Sequence, residues 1–138
     1  MKRGAAGTVR SIAAAVPAAL FVAAAGTALH RQSGVWSGVE IFWGVAAALL
    51  LLASVQLWLA AWSRSILPTA VAGVVTYAAV GVLSSAGSGK QLVLGDTPGT
   101  VWIYGIGAVT LVMLVVASRL RSTGPAAAAV AAVPPSRR

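Results

Sequence analysis

Residues 39–62 read VEIFWGVAAALLLLASVQLWLAAW, a run in which Glu40 is the only charged residue. Nothing in it alternates with a period of two. A helix of this length crosses the ~30 Å hydrocarbon core of a bilayer, which takes about 20 mainly apolar residues. In water such a segment would have to hide its whole circumference, and a chain of 138 residues has little else to hide it with. The reading is a membrane-spanning helix.

Three segments of the same kind flank it: SIAAAVPAALFVAAAGTAL at 11–29, PTAVAGVVTYAAVGVLSSA at 68–86 and TVWIYGIGAVTLVMLVVAS at 100–118. Whole-chain figures agree. Hydrophobic residues make up 59% and charged residues 9%, against about 45–50% and about 25% in soluble domains. Together these predict an all-α polytopic membrane protein, a bundle of four transmembrane helices (about 11–29, 39–62, 68–86 and 100–118) occupying residues 11–121. A basic N-tail, 1–10, precedes it. The segment from 122 to 138 reads as a disordered cytoplasmic tail, since its alanine-valine run is too short to span and its prolines stop a helix. Pro17, inside the first helix, is expected to kink it, which membranes tolerate. In GDTPGT, before the fourth helix, Thr100 is placed to cap. The first segment also carries the pattern of a secretory signal peptide, with Ala23-Ala24-Ala25 as its cleavage box; its removal would leave three helices and the same C-terminal side.

Lys and Arg set the orientation. Lys2, Arg3, Arg10, Arg64, Arg119, Arg121, Arg137 and Arg138 fall on one side of such a bundle, and Arg31 and Lys90 on the other. The positive-inside rule then puts both termini in the cytoplasm. Tryptophans fall where interface anchors are expected, with Trp36, Trp43 and Trp102 outside and Trp58 and Trp62 inside. The net charge of +8 sits in tails and loops. That distribution points to anionic lipid head groups rather than nucleic acid.

Several classes of chemistry are excluded or disfavoured. There is no cysteine, hence no disulfide or thiolate chemistry. One histidine and two carboxylates leave little from which to build a catalytic centre, so neither an enzyme nor a cofactor or metal is expected. The stretch SSAGSGKQLVLGDTPGT at 84–100 looks like a phosphate loop, but Ser84 stands where the first glycine belongs and Gln91 where Ser or Thr should follow Lys90. It also follows a membrane helix rather than a strand, so no nucleotide is expected.

The polar candidates are few. His30, Arg31, Lys90 and Asp96 fall at the outer face, where solvation and ion pairs of Glu40 with Arg31 or Lys90 account for them better than a metal or proton site. Glu40 is read as opening the second helix, on a face continued by Gly44, Ala47, Leu51, Ser54 and Trp58. Gln56 projects from the opposite face, either toward another helix or toward the inner head groups. Both are candidate intramembrane polar groups. Gly44, Gly73, Gly81 and Gly105 mark small-residue faces on which helices approach closely.

GDTPGTVWIYGIGA at 95–108 and VWSGVEIFWG at 35–44 resemble small four-helix integral membrane proteins of high-GC Gram-positive bacteria, families of unknown function. The resemblance implies a plasma-membrane location and carries over no active residues. The expectation is a small non-catalytic membrane protein acting by helix association, as accessory subunit or scaffold with a membrane-protein partner. The alternative is a small homo-oligomeric transporter or channel with Glu40 near its outer mouth.

Overall fold

The computed structural model of the chain describes residues 2–63, 65–85 and 97–122. They form helices α1 (Lys2–Leu29), α2 (Trp43–Ser63), α3 (Leu67–Ser85) and α4 (Thr97–Ser122). A short antiparallel hairpin, β1 (Gly34–Trp36) and β2 (Val39–Ile41), stands between α1 and α2. Each helix contains a stretch long and apolar enough to cross a membrane, with mean hydropathy between 1.7 and 2.2. The chain is a multi-pass membrane protein built as an all-α four-helix bundle. Helices are the natural outcome here, because in lipid every backbone N–H and C=O must find its partner within the segment.

The start of α1, the α2–α3 turn and the end of α4 share one end of the bundle, here the tail end; the other is the hairpin end. α1 packs against α2 and α3, and α4 packs against the same two helices. α1 and α4 therefore occupy opposite corners. They meet near the hairpin end, where the Trp102 ring lies over Gly26.

The interior has two apolar clusters. Toward the hairpin end, Val22, Ala23, Ala48, Leu52, Val80, Trp102 and Ile106 pack together. Toward the tail end, Ala15, Ala19, Leu59 and Ala72 do so. The side chains at the centre are mostly small, as helix pairs in lipid require when packing replaces the hydrophobic drive.

Local chemistry fixes the connections. α1 ends where Gln32 N–H donates to Leu29 O at 2.8 Å, and Gly44 N–H then donates to Gln32 O at 3.0 Å. A Cβ on Gly44 would run into the Leu29 carbonyl, so only glycine lets α2 start this close to the end of α1. The hairpin turns on Ser37 (φ 52°) and Gly38 (φ 81°), two successive positive φ values as a two-residue I′ loop requires. On the tail side Ser65 Oγ accepts from Leu67 N–H at 3.3 Å and opens α3. Pro68 sits in that first turn, where a missing N–H costs nothing.

The boundaries differ from the sequence reading in four places. α2 begins at Trp43 rather than Val39, because residues 34–41 pair as a hairpin. Its β-branched strands around Ser37-Gly38 carry a turn signal that the apolar run obscured. α1 begins at Lys2, so most of the basic N-tail is helical; Pro17 lies inside this helix. α4 begins at Thr97, with Pro98 in its first turn, so Thr100 lies inside the helix rather than capping it. α4 also runs on to Ser122, through Arg119. Arg64, the segment 86–96 with Lys90 and Asp96, and the expected tail from 123 onward lie outside the described residues.

Candidate functional site

Two polar groupings occupy the interior. The first lies where the two apolar clusters meet. Gln56 is fully buried, and its Nε2 donates to Thr110 Oγ1 across α2 and α4 at 2.9 Å. Thr69 Oγ1 donates to Gln56 O at 3.4 Å, and Thr76 Oγ1 to Ala19 O at 3.4 Å. Gly73 faces Thr110 so closely that a Cβ there would meet its Cγ2 and Oγ1. These contacts tie α2 to α4, α3 to α2, α3 to α1 and α3 to α4, so one layer engages all four helices. Of the two readings of Gln56, the interhelical one holds.

This layer reverses the expected polarity of α2. Its buried face is Gly44, Val45, Ala48, Leu52, Gln56, Leu59 and Ala60. On the stripe drawn through Glu40 only Gly44 is buried; Ser54 and Trp58 are exposed, and Ala47 and Leu51 are only partly covered. Glu40 is not an intramembrane helix residue at all. It lies on β2, exposed, and its Oε1 accepts from Ser33 Oγ at 2.8 Å. The helical count from Glu40 fails because the hairpin breaks the phase at Phe42.

The second grouping closes the hairpin end. His30, expected at a solvated face, is completely buried, and so is Trp102, expected as an interface anchor. Their rings lie nearly parallel, 16° apart in plane with centroids at 6.4 Å. The His30 Nδ1 lies 2.6 Å from Thr27 O. A carbonyl only accepts, so Nδ1 carries a proton. The indole edge bearing Cζ2, Cη2 and Cε2 packs on Gly26, with no room for a Cβ between them. A tryptophan near a helix start reads as an interface anchor; what overrides this is a glycine three residues before the end of α1, in the facing corner.

The other four tryptophans are exposed. Trp36 is 77% exposed and Trp43 50%. At the tail end Trp58 and Trp62 are exposed and stacked one turn apart, with centroids at 5.5 Å. Among the packing glycines, Gly44, Gly73 and Gly105 meet neighbouring elements, Gly105 against Leu49. Gly81 does not: it is exposed, with nothing among the described residues within 4 Å of a Cβ added there. Arg31 is exposed beside the hairpin. Among the described residues, no three His, Cys, Asp or Glu side chains come together.

The exterior is apolar and irregular. A groove of about 280 Å³ lined by Phe42, Val45, Ala46, Leu49, Thr97, Pro98 and Val101 opens between α2 and α4 near the hairpin. α4 is the least enclosed helix, with 17% of its span buried against 39% for α2 and for α3. No protein-family model matches the chain, and neither a curated protein nor a solved structure does.

Proposed function

We propose that this protein is a non-catalytic membrane subunit that works by associating with another membrane protein through the outer faces of its helices. The supporting observation is the filled interior. Leu52, Gln56, Val80, Trp102 and Ile106 are essentially inaccessible along the bundle, and the Gln56 amide is engaged by Thr110. A chain whose own axis is packed and latched meets other molecules from outside. There it offers the open Gly81 face of α3, the groove beside Phe42 and the weakly enclosed α4.

The orientation that fits this reading has both termini in the cytoplasm of a cell whose plasma membrane is rich in anionic lipid. Its support is the excess of Lys and Arg on the tail side and the exposed Trp58–Trp62 pair at that level. Native mass spectrometry of the protein, extracted gently from its host membrane, tests the function. A defined complex with a different, larger protein supports the proposal. A discrete homo-oligomer of this chain alone overturns it and favours a transporter or channel assembled from several copies.

A further inference from the structure

Four buried polar atoms have no hydrogen-bond partner among the described residues: Thr27 Oγ1, His30 Nε2, Gln56 Oε1 and Trp102 Nε1. Three of the four belong to the hairpin-end grouping. Thr27 and His30 are linked through the 2.6 Å contact of Nδ1 with Thr27 O. Trp102 stacks on His30 and rests on Gly26, the neighbour of Thr27. A buried polar group without a partner costs about 1–3 kcal/mol. Three at one place, on residues drawn from opposite corners of the bundle, point to something held between them.

The donor and acceptor pattern selects the occupant. Trp102 Nε1–H can only donate; in the tautomer whose single proton is on Nδ1, His30 Nε2 accepts; the Thr27 hydroxyl does either. A cation would face the indole N–H, and an anion would face the lone pair of Nε2. A neutral molecule with both a donor and an acceptor satisfies all three. We propose that Thr27, His30 and Trp102 bind one structural water molecule, which accepts from the indole, donates to the imidazole and joins the end of α1 to α4. Buried waters typically make about three hydrogen bonds of this kind. The bridge adds a directional link between the two helices that otherwise share the least contact.

Nuclear magnetic resonance on the ¹⁵N-labelled full chain in lipid nanodiscs tests this. The expected result is a persistent cross-relaxation peak between water and the Trp102 indole proton, with His30 Nε2 resonating as a hydrogen-bonded acceptor. Trp102→Phe keeps a ring over Gly26 and removes the donor; Thr27→Val removes the hydroxyl at nearly constant shape. In either variant, with the backbone spectrum otherwise unchanged, the His30 Nε2 resonance is expected to move toward that of an unbonded acceptor. A scalar coupling running directly from the Trp102 N–H to His30 Nε2 overturns the proposal, because the two rings then bond without a bridge. An indole proton with no water peak, or a Nε2 resonance indifferent to both substitutions, overturns it too.

Discussion

The Gln56 amide donates to the Thr110 hydroxyl at 2.9 Å, at the level where the apolar cluster around Trp102 gives way to the one around Leu59. In the hydrocarbon region neither group has water to fall back on. The bond therefore fixes the register of α2 against α4 in a way that two apolar faces alone do not.

A double-mutant cycle measures that bond. Gln56→Leu and Thr110→Val each remove one partner, and the coupling between them is expected near the average for membrane helices, about 0.6 kcal/mol and at most about 1.7. Reversible unfolding in mixed micelles gives the value. A coupling of zero would mean that the two side chains do not interact in the folded protein.

Two glycines on one helix are expected to behave differently. Gly73→Leu forces a side chain into Thr110, and overpacking of this kind costs about 1–3 kcal/mol or more. Its unfolding midpoint should fall. Gly81→Leu points into open space, so the monomer should unfold like wild type while the yield of partner complex in native mass spectrometry drops. If Gly81→Leu assembles normally, the α3 face is not where the partner sits.

Trp102 is expected to be spectroscopically distinct from the other tryptophans. A variant retaining only Trp102, with Phe at 36, 43, 58 and 62, should emit at short wavelength and resist quenching by aqueous acrylamide, as a 0% exposed indole must. A variant retaining only Trp36, 77% exposed, should be quenched at the head-group level. Equal quenching of the two would contradict the burial of Trp102.

Glu40 offers a further check. Its carboxylate sits on an exposed strand and accepts from Ser33, so Glu40→Gln should leave folding and assembly unchanged in thermal unfolding and native mass spectrometry. A loss of ion or solute flux in proteoliposomes carrying Glu40→Gln, relative to wild type, would revive the transporter reading.

Much of the architecture is legible in the sequence because hydrophobicity and length suffice to mark a membrane span. The run from Trp43 to Trp62 and its three counterparts leave the chain few alternatives. What escaped is what depends on neighbours. The hairpin was hidden inside an apolar run, since Val35, Trp36, Val39 and Ile41 suit a strand and a membrane helix equally well until Ser37-Gly38 is given weight. Counting helical turns from Glu40 then selected the wrong face of α2. Trp102 and His30 were placed at a wet interface because nothing in their own segments names Gly26 as the surface they pack against. Gln56 was visible as a polar side chain in a span, but its partner lies 54 residues away, beyond any local pattern.

The meeting of Trp102 with Gly26 also has a meaning in time. α1 leaves the ribosome early and α4 late, so the notch at Gly26 stays unfilled, and the Gln56 amide unclaimed, while the first three helices are already in the bilayer. Arrival of α4 covers both at once. The first and last helices, though at opposite corners, thus act as the two halves of a clasp, and without α4 it is open at both points.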